Sequence, residues 1–447
     1  MEHPGRRPTL AEIVAATPAG RDRLVDLVRA ASIVVVALGH WTMAALEPAS
    51  GADLRVRNIL EVTPGVHPLT WVLQVMPLFF FAAGFTNALA LRRAGTTGST
   101  VLAGRVARVL TPTVVFVGVW LVLAWLLVMA GAPAALVDSA AAASAMPLWF
   151  LAVYLLLAML APIHHAAHQR APWLILGALP LVALGLDRLQ GTDLSAVGLL
   201  SYIVVFAFCQ ELGFLYADGR LRRVARRWWA LVAAAAVGLL WLLTGPGPYP
   251  ASMIGLPGDE MSNMFPPSVC VTVVAVLQVA LVMVARPALL RWLDRPRPWR
   301  ATVAVNSMVM TLFLWHITGF VLAVGASHLG GLRLPAIGSG AWWLQKPLWL
   351  VAAAVVTAGL VAAFRWAENA RTPTPRLGAV GSASAATLAV AGLTMLACAG
   401  FADPFSRGGV ALGGVTFYPA VGALLLVAAW FLLRREGRGA QSEASLP

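Results

Sequence analysis

The sequence predicts an all-α polytopic membrane protein with about twelve transmembrane helices. Of its 447 residues, 60% are hydrophobic and only 11% are charged, whereas soluble domains carry about 25% charged residues. Apolar segments of roughly 20 residues, the length that crosses a bilayer core, recur along the chain. Because backbone groups in lipid must bond within their own segment, these spans are predicted to be helices.

Arginine placement supports an even number of spans. The predicted spans lie near residues 24–46, 69–91, 110–130, 147–162, 173–187, 197–216, 228–244, 266–285, 303–326, 342–364, 384–401 and 415–433. Every second connection is rich in arginine, and the others are poor in it. This pattern predicts a multi-pass protein of the cell membrane with both termini in the cytoplasm.

A polar, proline-rich segment divides the chain near its C-terminal end. We therefore predict five parts: an N-terminal cytosolic segment 1–20, a membrane core 21–365 of about ten helices, a cytosolic linker 366–383, two additional helices within 384–433 and a cytosolic tail 434–447. Thr9 and Glu12 fit a capping box, which predicts a short helix before the first span.

The net charge of +13 does not indicate nucleic-acid binding, because the arginines lie in short loops between spans, as the positive-inside rule predicts. Three cysteines, each alone in an apolar span, give no disulfide or metal pattern: Cys209, Cys270 and Cys398. His164, His165 and His168 have a helical spacing that suits a metal. We place them in an inner loop without a nearby carboxylate and predict no metal site.

The first span carries the sharpest functional candidates, Arg29 and His40. They are eleven residues apart, so they share one face of a helix at a separation of roughly 16 Å. A neutral imidazole can accept a proton from a hydroxyl near neutral pH. The alternatives are a packed helix histidine and an ordinary arginine paired with Asp26.

Five motifs, in their order and spacing, resemble one known family. They are RLVDLVRAASIVVVALGH with Asp26, Arg29 and His40; VMPLFFFAAGF at 75–85; GRVARVLTP with Arg105, Arg108 and Pro112; PLWFLAVYLL with Trp149; and FLWHITGF with His316. Together they resemble the acyltransferase-3 family of integral membrane O-acyltransferases. Ala83 stands where that family has a serine, which weakens a role for a hydroxyl there.

The resemblance implies acyl transfer, often of acetyl, from an acyl-coenzyme A to a hydroxyl of a cell-envelope glycan, glycolipid or related acceptor. Acyl-coenzyme A would be a co-substrate, with no resident cofactor. Guanidinium groups suit phosphates, so Arg29, Arg105 and Arg108 are expected to hold the coenzyme. His40 would act as general base or briefly carry the acyl group.

Three further residues are expected to line the cavity: Asp26, Trp149 and His316. The alternative for Trp149 is packing, and for His316 it is a structural hydrogen bond between helices. Glu211, near the cytosolic end of its span, is interpreted as a snorkelling carboxylate.

A twelve-helix secondary transporter or flippase is the alternative function. Two features count against it: the inner loop 92–108 has no acidic residue to pair its arginines, and the central connection 217–227 is short for a two-half transporter. A hybrid that moves an acyl group across the membrane stays open. The outer loops 47–68 and 245–267 are either a roof over an acceptor site or solvated connectors.

Overall fold

The computed structural model describes most of the chain. The described residues are 10–18, 20–48, 54–93, 96–190, 192, 195–256, 261–330, 335–369, 377–401, 410–412 and 415–443. Parts of all five predicted regions lie outside them, including residues 1–9 with Thr9 of the predicted capping box, 370–376 of the linker and 444–447 of the tail.

The described residues are mainly helical. In chain order the helices are α1 Leu10–Ala15, α2 Arg23–Met43, α3 Thr70–Leu73, α4 Met76–Leu91, α5 Gly98–Met129, α6 Ala134–Ala145, α7 Leu148–Arg170, α8 Pro172–Asp187, α9 Ser195–Gly198, α10 Ser201–Ala217, α11 Arg226–Thr244, α12 Val269–Leu293, α13 Pro296–Asn306, α14 Val309–Leu329, α15 Gly340–Glu368, α16 Ala379–Ala399 and α17 Pro419–Glu443.

Two antiparallel hairpins join helices at their ends. Strand β1 (Ala44–Pro48) pairs with β2 (Leu54–Asn58), and β3 (Val410–Leu412) pairs with β4 (Val415–Phe417). The first hairpin directly follows α2. Its register places Ala45 opposite Arg57.

The chain is an all-α polytopic membrane protein. Within the described residues, nine stretches are long and apolar enough to cross a membrane, namely Arg23–Met43, Pro64–Leu91, Gly98–Met129, Leu136–Arg170, Arg226–Thr244, Val269–Leu293, Val309–Ser327, Gly340–Glu368 and Ala379–Ala399. Three shorter apolar helices occupy the other predicted spans: Pro172–Asp187, Ser201–Ala217 and Pro419–Arg434. The count of twelve stays a prediction because it depends on these three.

Several helix ends differ from the predicted ones. The first span ends at Met43 rather than at 46, because the next residues pair in the β1–β2 hairpin. Helix α5 begins at Gly98, so Arg105 and Arg108 lie in a helix and not in a loop. Hydropathy locates the apolar part of a helix, and polar ends that extend beyond it are missed.

The centre of the fold is built on close helix contacts. Helices α4 and α10 meet at Gly84 and Gly213, where an added Cβ would come within 2.2 Å of a backbone oxygen of the facing helix. Only glycine permits this approach. Helix α2 packs against α4, α13 and α14.

The two helices of the predicted C-terminal addition pack onto the preceding bundle. Helix α16 contacts α5 and α7 and pairs with α17. Phe401, just after α16, is fully buried against Phe116 and Trp120, and its ring stacks on Trp120 with centroids 5.9 Å apart.

Candidate functional site

Two predicted site residues, His40 and His316, are in direct contact. His40 lies near the end of α2 and is half-buried, whereas His316 in α14 is fully buried. The Nδ1 of His40 lies 2.8 Å from the Nε2 of His316. Trp41 donates its indole N–H to the backbone oxygen of His316 at 2.8 Å. These bonds fix α2 against α14 at the level of the two rings.

The hydrogen bonds around His316 assign the tautomers of both rings. Its Nδ1 lies 2.6 Å from the carbonyl oxygen of Phe313. A carbonyl only accepts, so this nitrogen carries the proton and Nε2 of an uncharged His316 accepts. His40 must then donate from Nδ1. The Nε2 of His40 is left with its lone pair, which can accept a proton.

No negative charge accompanies this pair among the residues that the structure describes. Neither His40 nor His316 forms an ion pair with a carboxylate there, and the fully buried ring of His316 is stable without a counter-charge only when it is uncharged. The pair therefore orients an imidazole base through a second neutral imidazole.

Arg29 lies at the other end of α2, where its partners come from α2 and α13. Its Nε donates to Asn306 Oδ1 at 2.6 Å, and its Nη2 donates to Asp26 at 3.2 Å. Asn306 also donates to the backbone oxygen of Asp26 at 2.9 Å. Asp26 additionally pairs with Arg21. The Asp26–Arg29 pair, which the sequence raised as an alternative, is therefore present.

The same neighbouring segment thus contacts α2 at both levels. Asn306 ends α13 and meets Arg29, and ten residues later His316 in α14 meets His40. Arg29 and His40 consequently lie on one face of α2, as their spacing predicts, at a separation of roughly 16 Å along the axis.

Of the two predicted coenzyme-binding arginines of α5, Arg105 lies near Arg29. Arg105 is half-buried and donates to the hydroxyl of Tyr154 at 3.4 Å. Arg29 is close enough to interact electrostatically with both of these residues. Arg108 is exposed. Within the described ranges no carboxylate pairs with Arg105 or Arg108, so both guanidinium groups can bind an anion.

Trp149 is placed among aromatic rings. Its ring lies 5.8–6.3 Å from four neighbouring ring centroids, those of Phe150, Tyr202, Phe206 and Phe265. This arrangement matches the packing alternative. Asp26 lies with the arginines and is not in contact with the histidine pair.

The prediction that His164, His165 and His168 lie in a loop without a nearby carboxylate is wrong. Helix α7 continues to Arg170, and His168 contacts Glu211 at 2.6 Å and Asp218 at 3.1 Å. His164 lies 3.1 Å from Glu211, out of line for a hydrogen bond. Glu211 is fully buried and does not snorkel.

No metal geometry follows from this cluster. Within the described part of the chain, no group of three or more His, Cys, Asp or Glu side chains could hold a metal ion. The cluster is an ion-pair network that joins α7 to the end of α10.

Three residues near the site were missed from the sequence: Tyr154, Asn306 and Glu368. The carboxylate of Glu368 accepts from the backbone N–H groups of Met310 and Thr311, at 3.1 and 2.9 Å, and so caps the start of α14. Asn306 and Glu368 stand at the polar ends of spans. That position is the only signal the sequence offers for them.

The chain was compared with models of protein families. A model described as an acyltransferase domain matches residues 23–366, which is most of the chain. The chain belongs to the acyltransferase-3 family. No curated protein and no solved structure matches the chain.

Family membership makes the protein a membrane acyltransferase that acts on an acyl donor and an acceptor. It favours the enzyme over the transporter or flippase alternative. The matched segment includes α2, α5, α7 and α14, the helices that carry all the predicted site residues.

Proposed function

We propose that this acyltransferase moves an acyl group, acetyl in the first instance, from acyl-coenzyme A to a hydroxyl of a cell-envelope glycan or glycolipid. The observation that carries the proposal is the His40–His316 pair, which leaves one imidazole lone pair of His40 without a donor among the described residues. Arg29, roughly 16 Å from His40 along α2, and the α5 arginines would supply a separate anion site.

The donor would bind with its phosphates at the arginine-rich end. Arg105 and Arg108, which no carboxylate pairs among the described residues, can each donate parallel hydrogen bonds to a phosphate. Arg29 has Asp26 and Asn306 as partners, so its contribution is mainly positive charge close to Arg105. The arm of the coenzyme would then extend along α2 toward His40.

The chemical step needs one proton acceptor. His40 Nε2 takes the proton of the acceptor hydroxyl while its oxygen bonds to the thioester carbonyl carbon. The carbon–sulfur bond breaks, and the thiolate takes the proton back from His40. His316 accepts a hydrogen bond from His40 Nδ1 throughout, which stabilises the transient imidazolium. An acyl-histidine intermediate is the alternative path.

A donor assay tests this proposal. The purified protein in lipid vesicles receives acetyl-coenzyme A labelled in the acetyl group, and release of free coenzyme A is measured. Arg105→Ala and Arg108→Ala are each expected to raise the KM for the donor by about tenfold to a hundredfold, because each removes a charge-assisted bond. Unchanged donor binding in the double variant would show that the donor site is misplaced.

Arg223→Ala is the matched control. Arg223 is exposed in the short turn after α10 and has no assigned role in the site. Its removal changes the net charge equally and should leave the donor KM unchanged. A mass measurement on the acid-quenched protein without acceptor separates the two chemical paths, since only the second path leaves an acetyl group on His40.

A further inference from the structure

Lys346 is the only lysine of the chain, and it is buried near the start of α15 at 6% exposure. Its Nζ donates to the backbone oxygen of Ala44 at 2.7 Å. The same ammonium lies over the rings of Trp342 and Phe320, 4.6 and 5.8 Å from their centroids. It therefore points into an aromatic enclosure.

This buried cation has no counter-charge among the described residues. None of the ion pairs there includes Lys346, and one carbonyl occupies only one of its three N–H donors. Ring faces attract a cation, but they replace only part of its hydration. Buried charges are normally paired, so this ammonium lacks the anion that such a site needs among the residues that the structure describes.

The ammonium faces a partly open pocket. Its walls include Ala44, Phe320, Trp342 and Trp349. The β1–β2 hairpin covers one side, since Ala45 and Ile59 pack against Trp342. The free volume of the pocket is about 20 Å³, which admits a small group but not a whole sugar ring. A cation beside several aromatic faces therefore suits the negative group of a molecule whose ring stays at the opening of the pocket.

The position of the pocket relates it to the histidine pair. Phe320 lies four residues beyond His316, about 6 Å further along α14, and Ala44, four residues beyond His40, directly follows the end of α2. The segments run in the same direction, so the pocket lies just beyond the pair and away from the arginine-rich end. The pocket and the histidine pair are therefore neighbours along the two segments.

We propose that this pocket binds the acyl acceptor and that Lys346 pairs with a carboxylate or phosphate carried on or beside its sugar ring. The inference extends the proposed function and rests on it, because the bound molecule is an acyl acceptor only if the protein transfers acyl groups as proposed. It assigns the acceptor an anionic character. A neutral glycan would leave the ammonium unpaired in the bound state as well.

The NMR signal of Lys346 can report on this site without overlap from other lysines. Growth on lysine labelled with ¹³C at the ε carbon marks a single side chain, because the chain has one lysine. The ¹³C and ¹H shifts of this group are followed in neutral detergent. Sodium glucuronate, glucose 1-phosphate, glucose and sodium chloride are added at matched ionic strength.

We expect saturable shifts with glucuronate or with glucose 1-phosphate, and none with glucose or chloride. The anion that binds more tightly identifies the carboxylate or the phosphate as the natural group. A signal that no sugar anion moves, or that chloride moves equally, would overturn the proposal. A shift with a short-chain phosphatidic acid alone would assign the lysine to a lipid headgroup instead.

Variants test the two parts of the pocket. Trp342→Leu keeps the ammonium and removes one wall, so glucuronate should bind about tenfold more weakly, while acetate, which has no ring, is unaffected. Lys346→Gln should abolish the rise in unfolding temperature that glucuronate causes in the parent protein. If Lys346→Gln does not fold, the NMR titration of the labelled parent protein still tests the proposal.

The binding signal is independent of turnover. A protein that binds glucuronate but releases no coenzyme A would contradict the proposed function and leave the anion site standing. A protein that releases coenzyme A but binds no sugar anion would contradict only the inference about Lys346.

Discussion

Two histidine clusters in this protein use the same side chain for opposite purposes. His40 and His316 bond to each other and to a backbone carbonyl, and no carboxylate pairs with them among the described residues. His168 is bonded to Glu211 through one ring nitrogen and to Asp218 through the other. The first cluster is the proposed reaction centre, and the second joins α7 to α10.

The difference lies in how many ring nitrogens are occupied. Both nitrogens of His168 face carboxylate oxygens, so both donate and the ring is an imidazolium with nothing left to accept a proton. His40 donates through one nitrogen only and keeps a lone pair on the other. A histidine beside an acid is therefore the less reactive one here, because the acids consume both of its nitrogens.

Replacing His40 is expected to have the largest effect on activity. His40→Ala removes the proposed base and should lower the rate of acyl transfer by about 10²- to 10⁴-fold, the range that general base catalysis supplies. Release of coenzyme A from acetyl-coenzyme A measures it. The control is His165→Ala, since His165 is a half-exposed histidine of the second cluster with a contact to Gln169. Full transfer by His40→Ala would reject both chemical roles of this residue.

Replacing His168 should affect stability instead. His168→Leu leaves Glu211 buried without its cation, which costs about 3–5 kcal/mol of the free energy of unfolding. Thermal unfolding in detergent measures the loss, and activity per folded molecule should stay near that of the parent.

A double variant separates the missing charge from the missing packing. His168→Leu combined with Glu211→Leu removes both charges and should recover much of the lost stability. If the double variant is less stable than His168→Leu alone, the network contributes more than charge balance. If His168→Leu abolishes transfer in a folded protein, the second cluster is not merely structural.

The sequence predicted the part of the site that depends on a single helix. Arg29 and His40 share a face because eleven residues are close to three helical turns, and the structure agrees. The sequence could not place Glu211 beside His168, since the two are 43 residues apart and only the packing of α7 on α10 joins them. Contacts between helices leave no periodic trace in the sequence.

Polar helix ends explain the other errors. The predicted spans stop where apolar residues stop, whereas α5 and α7 continue through arginines and histidines. A helix pairs its own backbone N–H and C=O groups in polar as well as apolar surroundings, so it need not end where the apolar residues end. Composition was sufficient to predict a membrane protein. The positions of Asn306 and Glu368 beside the break between α13 and α14 were not predictable from it.

Replacing His316 tests how the base is oriented. His316→Phe keeps a ring but removes the acceptor for His40 Nδ1, so His40 loses its fixed tautomer and direction. We expect transfer to fall by about 10²-fold, as for a displaced catalytic group. The pH profile of kcat should also shift, whereas a loss of folded protein alone would lower the rate without shifting this profile.

A conservative variant completes this test. His316→Gln supplies an amide oxygen that can accept from His40 and should restore part of the rate. Equal activity of His316→Phe and the parent would show that the pair does not orient the base.

The smallest effect is expected at the exposed side of the second cluster. Burial alone would raise the pKa of Asp218, but hydrogen bonds from Arg92 and His168 outweigh it and hold the pKa below its ordinary value of 3.8. A carboxylate with a lowered pKa in the folded state stabilises the fold above its unfolded pKa. That stability is lost as the pH falls through 3.8 toward the lower folded value.

Asp218→Asn should therefore reduce the free energy of unfolding by about 1 kcal/mol at neutral pH, since its pairs are partly solvated. The variant and the parent should converge in acid, because the parent carboxyl is then protonated and neutral as well. Unfolding temperatures at several pH values down to about 3 measure the convergence. A difference that persists in acid would mean that Asp218 acts through hydrogen-bond geometry rather than charge. In that case Glu211 alone would be the carboxylate whose charge distinguishes the second histidine cluster from the first.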